Sequence, residues 1–304
     1  MYIGIDVGGT NLKAGLVDES GKILKTERVP LNFQGPEQFA KTLAGLAEQV
    51  MGENVVAVGI GLPGAVEGGY VLRTVNIPME NVPLERLFRQ HLNLPLLLGN
   101  DADCAAVGEF FCGAGKGSQD FITVTLGTGV GAGIILNGRL RGGAVSSEAG
   151  HIVICKDGEL CNCGRRGCWE RYASATGLIM LTKRAMERHP ESALHAFAAK
   201  GGVEGRTAFQ AAEAGDETAL AVCREYVDYL ASGMASLVNI LRPEIVAIGG
   251  GVAAAPERLL LEPLRAAVDR EAYYRHGGRA TRILPAELGN DAGIIGAAFL
   301  DRIM

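Results

Sequence analysis

No run of 18 or more apolar residues occurs anywhere in this 304-residue chain, so no membrane-spanning helix is expected. A long basic block is missing too, and the formal charge is −5. A broad nucleic-acid or anionic-membrane surface is therefore not expected. The opening Met1-Tyr2-Ile3-Gly4-Ile5-Asp6 reads as a strand, with neither a basic leader nor an apolar export segment, and a cytoplasmic location is the expectation. Charged residues are modest at 21% against 48% hydrophobic, which suits a chain that buries a substantial core and has room for two domains. Seven cysteines is an odd number, and four of them crowd between Cys155 and Cys168. That crowding favours an intracellular metal knuckle over a secreted disulfide scaffold.

What the chain has in plenty is glycine. Its 43 glycines gather beside short apolar runs and follow no collagen period, which places them at turns and ligand-facing loops. Tyr2 to Val7 and Leu12 to Asp18 read as consecutive antiparallel strands around Gly8-Gly9-Thr10-Asn11. Pro36 then starts a helix bearing Phe39, Leu43, Leu46, Ala47 and Val50. Val55 to Ile60 and Leu94 to Leu98 are buried-strand candidates, and a helix is expected over Asn100 to Phe111. Near Cys112 to Ser118 the pattern restarts: strand Phe121 to Leu126, glycine turn Gly127 to Gly133, then Ile134-Ile135-Leu136. Placed without a gap, Gly4, Asp6, Gly8 and Thr10 fall opposite Thr123, Thr125, Gly127 and Gly129. A long helix is expected from Ala219 to Leu241, stopped by Arg242-Pro243 before a buried strand, Glu244 to Ile248, that enters Gly249-Gly250-Gly251. Thr281 to Leu284 reads as a short strand, and Asp291 opens an apolar terminal helix running through Phe299. The order suits two α/β lobes.

Three constellations carry chemistry. In Asp6-Val7-Gly8-Gly9-Thr10-Asn11-Leu12-Lys13 the glycines admit phosphate to the backbone, whose N–H groups donate alongside Thr10 and Asn11. Asp6 is placed to hold a Mg²⁺–water assembly, and Lys13 to support a phosphate or an internal ion pair. The loop fits neither GxGxxG nor GxxxxGK[ST], and a single Gly-Gly hairpin reads as scaffold; the second loop at Gly127 to Gly133 is what turns the reading towards phosphate. His151, Cys161, Cys163 and Cys168 offer one imidazole and three thiolates, a complete tetrahedral zinc shell that leaves no open catalytic position. Cys155 is an extra thiol nearby. Asn100-Asp101, at the end of an apolar run, either caps a helix or presents a carboxylate to a ligand.

The residues and their order resemble the ROK family of sugar kinases and related repressors, within the actin-like ATPase superfamily. Asp6 to Lys13 matches that family's first phosphate motif, Leu126 to Gly133 the second, Leu237 to Gly251 the adenosine segment, and His151 with Cys161, Cys163 and Cys168 the zinc signature. The resemblance implies a two-lobed, ribonuclease H-like α/β fold with an interlobe active-site cleft. It implies one lobe of residues 1–115 joined by 291–304, and a larger lobe of 116–290. ATP and Mg²⁺ would be held through Asp6, Gly8, Gly9, Thr10, Asn11, Lys13, Gly127, Thr128, Gly129, Gly131, Gly250 and Gly251. Hexose would be held through Gly64, Asn76, Asn100, Asp101, Glu148, His151 and Glu170, with Asp101 as catalytic base. The expected reaction is glucose to glucose 6-phosphate, with N-acetylglucosamine or N-acetylmannosamine as alternative acceptors and polyphosphate as the less favoured donor. Asn76-Ile77-Pro78-Met79-Glu80 departs from the NLPGW form of glucokinase-like members, which weakens glucose as the assignment. A non-catalytic sugar-binding protein is the alternative of a different class. A repressor is disfavoured because the first strand starts beside Met1. A homodimer or homotetramer is the implied assembly.

Overall fold

The structure is a computed structural model that describes residues 1–74, 77–142, 146–199, 201–273 and 278–303. Strands β1 (Tyr2–Val7), β2 (Asn11–Val17) and β3 (Ile23–Pro30) precede helix α1 (Pro36–Val50). Next come β4 (Ala57–Leu62), β5 (Gly64–Glu67), β6 (Tyr70–Thr74), β7 (Glu80–Val82), α2 (Leu84–Arg89), β8 (Leu96–Asn100) and α3 (Asp101–Cys112). Strands β9 (Phe121–Leu126), β10 (Val130–Leu136) and β11 (Arg139–Leu140) lead to helices α4 (Glu170–Ala173), α5 (Ala175–Arg188), α6 (Leu194–Ala198), α7 (Thr207–Glu213) and α8 (Glu217–Leu241). The chain closes with β12 (Ile245–Gly249), α9 (Leu261–Glu271), β13 (Arg282–Pro285) and α10 (Ala292–Ala298). Two compact units result: Met1–Thr123 with Ala132–Ser147 and Ala286–Met304, and Val124–Gly131 with Glu148–Pro285.

In the first unit the sheet order is β3-β2-β1-β4-β8, with β1 antiparallel to β2 and parallel to β4. All six residues of β4 are buried, as an inner parallel strand requires. Ile3 and Ile5 of β1 pack with Phe39, Leu43 and Leu46 of α1. Gly4 lies between them in sequence and so faces the other way, towards α10. The approach of α10 is close enough that a Cβ on Gly59 would strike the carbonyl of Ala297, and one on Gly296 the carbonyl of Cys104 in α3. Glycine is thus the price of backbone-to-backbone packing here, and it locks the last helix onto the first strand.

The β4 and β8 strands begin two residues later than the apolar runs suggest. Pro95 has no N–H for the ladder, yet its carbonyl accepts from the Val58 N–H at 2.9 Å, so pairing starts beside it. A three-stranded sheet, β5-β6-β7, has no counterpart in the sequence reading. Its signal was Gly68-Gly69, a two-residue loop with φ of 55° and 80°, the left-handed pair that tight hairpins use.

The second five-stranded sheet has the order β11-β10-β9-β12-β13, with β12 and β13 parallel. In the second unit α8 packs against α4, α5, α7 and α9, burying Val222, Tyr226, Leu230, Met234 and Leu237. It ends where Arg242 turns left-handed (φ 49°) and its N–H returns to the Val238 carbonyl, with Pro243 forbidding continuation. No described helix is long and apolar enough to cross a membrane.

Candidate functional site

The turn between β1 and β2 is the first site element. Asp6 sits opposite Lys13 across the ladder. Burial raises the Asp6 carboxyl above the usual carboxylate range, and the Lys13 charge pulls it the other way. Gly293 of α10 leaves that carboxyl room, since a Cβ there would lie 3.1 Å from Oδ1. The turn closes through Gly8 N–H donating to the Asn11 carbonyl at 3.0 Å, and the Thr10 carbonyl accepts from Leu31 N–H at 2.9 Å. Asn11 Nδ2 donates to Thr10 Oγ1 at 2.7 Å. Around Gly9 there is open space, with nothing within 4 Å of a built Cβ.

At the junction of β8 and α3 the two readings of Asn100-Asp101 separate. Asn100 is the helix cap: its Oδ1 accepts from Ala102 N–H at 2.8 Å and Asp103 N–H at 3.4 Å. Its Nδ2 donates to the Gly64 carbonyl at 3.1 Å, so two sequence-predicted sugar residues are tied to each other. Asp101, the first helical residue, is exposed, and its Oδ1 accepts from Ala102 N–H at 2.9 Å. Asn76 lies outside the described residues; just after it, Ile77 and Met79 are buried and Thr74 Oγ1 donates to the Ile77 carbonyl.

In the second unit the turn after β9 closes through Gly127 N–H donating to the Gly129 carbonyl at 3.0 Å. Two carbonyls of this turn are held by the start of α5. Gly127 O accepts from Ala175 N–H at 2.8 Å, and Thr128 O accepts from Thr176 Oγ1 at 2.8 Å. The sequence reading passed over Ala175 and Thr176; Ser174, whose hydroxyl caps α5 by accepting from Gly177 N–H at 3.1 Å, was the available marker of that helix start. Gly131 lies in β10, the strand leaving this turn. Gly250 has φ +85° and lies against the Leu126 backbone so closely that any Cβ would overlap it, which brings the third glycine segment to the same strand end. Gly251 follows, at the open side of a 3-10 turn.

The four predicted metal ligands come together, their ligand atoms all within 4.8 Å of one another. His151 Nδ1 lies 3.6 Å from Cys161 Sγ, and Cys163 Sγ lies 3.6 Å from Cys168 Sγ. A tetrahedral zinc shell sets neighbouring ligand atoms about 3.5–3.8 Å apart, so the set fits the ion. The same separation is far too long for a disulfide, and all seven cysteines are free. Burial pushes the Cys161 thiol up to about 12 and raises Cys168 as well, while the Arg165 backbone N–H lowers Cys163. Buried thiols of this kind become thiolates when a cation compensates the lost hydration. Cys155 is not part of the group.

Glu148 and Glu170 flank the knuckle. Glu148 Oε2 is 3.8 Å from His151 Nε2, the ring nitrogen turned away from Cys161, and Glu148 is 61% exposed. Glu170 is only 21% exposed; its Oε1 accepts from Cys161 Sγ at 3.1 Å and lies 3.7 Å from His151 Nδ1. Its other oxygen faces Gly129, where a built Cβ would come within 2.6 Å. Glu170 therefore touches both the knuckle and the second glycine turn.

Paired strand–glycine turn–strand hairpins, a third glycine turn on the second of them and a closed His/Cys₃ knuckle define an α/β protein of the actin-like ATPase fold. A sequence profile of the ROK family matches residues 2–302, and the chain belongs to that family. It is 38% identical to the glucokinase of Streptomyces coelicolor over 99% of this chain and 98% of that protein. It is also 38% identical to the glucokinase of Thermotoga maritima, over 97% and 95% of the two chains. Among solved structures, a ROK family glucokinase from Streptomyces griseus in complex with glucose and AMPPNP superposes with a TM-score of 0.81 at 38% identity, covering 98% of each chain.

Proposed function

We propose that this protein is an ATP-dependent hexose kinase that converts glucose to glucose 6-phosphate. The reading rests above all on likeness along nearly the whole chain to a glucokinase that holds glucose and a nucleotide analogue. The exposed Asp101 carboxylate at the head of α3 supplies the chemistry that likeness requires. In this reading Asp101 accepts the proton of the sugar 6-hydroxyl as its oxygen attacks the γ-phosphorus of ATP. Glu148, His151, Glu170 and Asn76 hold hydroxyls; Asn100 caps the helix and keeps Gly64 in place. The turns at Gly8–Asn11 and Gly127–Gly131 donate N–H groups to phosphate oxygens, and Gly250-Gly251 receives the adenosine. Mg²⁺ bound with ATP neutralises phosphate charge, and Asp6 would orient its water shell, with Lys13 as that carboxylate's charge partner. Zinc at His151, Cys161, Cys163 and Cys168 would crosslink the knuckle and leave the reaction to other groups.

The same reading carries a lobe of residues 1–115 with 291–304 and a lobe of 116–290. It also carries a cytoplasmic location and a homodimer or homotetramer. N-acetylated hexosamines are the second acceptor class, because Asn76-Ile77-Pro78-Met79-Glu80 differs from the glucokinase-like segment. The test is product identification with MgATP and a panel of glucose, N-acetylglucosamine and N-acetylmannosamine, with polyphosphate as a competing donor. A 6-phosphosugar with glucose ranking first is expected; folded, zinc-loaded protein that makes no phosphosugar overturns the reading.

A further inference from the structure

A single stretch of chain, 168–176, runs from the metal knuckle to the second glycine turn. It starts at Cys168, whose neighbour Trp169 is fully buried and donates its backbone N–H to the Ile152 carbonyl at 2.8 Å. Three contacts pin this stretch to α8. Trp169 Nε1 donates to the Tyr229 carbonyl at 3.0 Å, Tyr226 donates its hydroxyl to the Ala173 carbonyl at 2.7 Å, and Tyr172 stacks on Tyr229 with centroids 4.6 Å apart. Having been fixed at its middle, the stretch ends in two donors aimed at one turn: Ala175 N–H on the Gly127 carbonyl and Thr176 Oγ1 on the Thr128 carbonyl.

The consequence follows from peptide geometry. In a trans peptide the N–H points opposite to the C=O of the preceding residue. Holding the Gly127 carbonyl towards α5 turns the Thr128 N–H away from that helix, and holding the Thr128 carbonyl turns the Gly129 N–H away. Neither of those two amides is then consumed by the contacts that orient the turn. The Ala175 N–H is also one of the unpaired donors at the head of α5, so the turn and the helix start satisfy each other.

We propose that Thr176 is a positioning residue for nucleotide phosphate binding, acting through the Thr128 carbonyl to aim the Gly129 N–H at a phosphate oxygen. The inference rests on the kinase reading above and adds to it a residue that does not itself touch phosphate. The experiment uses the zinc-loaded full chain and titrates Mg·AMPPNP calorimetrically into wild type, Thr176→Val and Thr176→Ser, with steady-state kinetics for ATP and glucose alongside. Thr176→Val keeps the shape and removes the donor, so nucleotide Kd and the KM for ATP should rise about threefold to tenfold. The KM for glucose, the zinc content and Tm should stay at wild-type values, and Thr176→Ser should bring nucleotide affinity back to within about twofold of wild type, the hydroxyl being restored. Wild-type nucleotide affinity in Thr176→Val, with an active parent enzyme, overturns this inference alone. Equal losses in both variants with lowered Tm overturn it too, by assigning Thr176 to the helix start only. A wild-type protein that binds no Mg·AMPPNP and makes no phosphosugar overturns the kinase reading and this inference together.

Discussion

The two glycine turns are built to one local plan and anchored in two different ways. Each follows a six-residue strand, spans three residues and enters a seven-residue strand. The turn at Gly8–Thr10 is steadied by its own sheet, through the Leu31 N–H on the Thr10 carbonyl, and carries a charged pair, Asp6 and Lys13, behind it. The turn at Gly127–Gly129 has no charged pair in the equivalent place; Thr125 stands where Asp6 does. Its carbonyls are instead held by residues 48 positions away in sequence, and Glu170 crowds Gly129 from the knuckle side. Similar hairpins can thus be specified by local sequence, while the direction their amides face depends on what lies behind them.

The largest expected effect comes from a variant outside both turns, which separates chemistry from binding. Asp101→Asn should lower kcat by roughly 10²–10⁴, the usual worth of a general base, with nucleotide and sugar affinities and Tm nearly unchanged. Asn100 caps α3, and Asn at position 101 keeps an oxygen for the Ala102 N–H that Asp101 also holds, so a loss of rate with unchanged Tm points to the missing carboxylate and a near-wild-type kcat would remove Asp101 as the base.

Removing the metal should discriminate between the turns. Cys163→Ser is expected to lose zinc and about 4 kcal/mol or more of stability, measured by metal analysis and denaturant unfolding. Nucleotide affinity should fall with it, since the stretch that holds the second turn begins at Cys168. Full stability without zinc would make the knuckle incidental.

Adding bulk to the turns sharpens the contrast further. Gly9→Val meets open space and should raise the KM for ATP about tenfold, obstructing phosphate while leaving Tm within a degree or two of wild type. Gly129→Val must displace the Glu170 carboxylate, so the KM for glucose should rise together with that for ATP, and Tm should drop. Identical profiles for the two variants would erase the distinction between the turns.

The smallest effect concerns stability at Asp6. Its folded pKa lies above its unfolded value, so the folded state holds the proton more tightly and ionisation at neutral pH costs folding free energy. That cost disappears as pH falls through the raised value. Asp6→Asn carries no charge to desolvate, so ligand-free Asp6→Asn should melt above wild type at pH 7, and the gap should close towards about pH 4. MgATP turnover should fall in the same variant. A lower Tm at neutral pH would show that the Lys13 attraction outweighs burial.

Much of this was readable in the chain itself, and each success has a local cause. Alternating apolar residues around Gly8-Gly9 and Gly127 marked both hairpins because strand periodicity and glycine turns are short-range properties. Asn100-Asp101 marked a helix start because capping needs only residues three positions apart. Cys161, Cys163 and Cys168 with His151 marked a candidate metal cluster because few other uses ask for four such side chains so close in sequence, and the fold brings their ligand atoms within 4.8 Å of one another. The sequence also left open which of Asn100 and Asp101 caps the helix; the fold resolved it by giving Asn100 both the cap and the Gly64 carbonyl.

By itself, then, the sequence determined the main strands and helices outside the β5-β6-β7 sheet, the two glycine hairpins and which residues are candidates for the knuckle, features that depend mostly on neighbours along the chain. Only the tertiary structure decided that Gly59 and Gly296 must stay bare for α10 to reach β4 and α3. It alone set Glu170 between Cys161 and Gly129, and aimed Ala175 and Thr176 at the second turn. These are contacts between segments far apart in sequence, and no periodicity encodes them, because they exist only once separate elements have packed to within hydrogen-bonding distance.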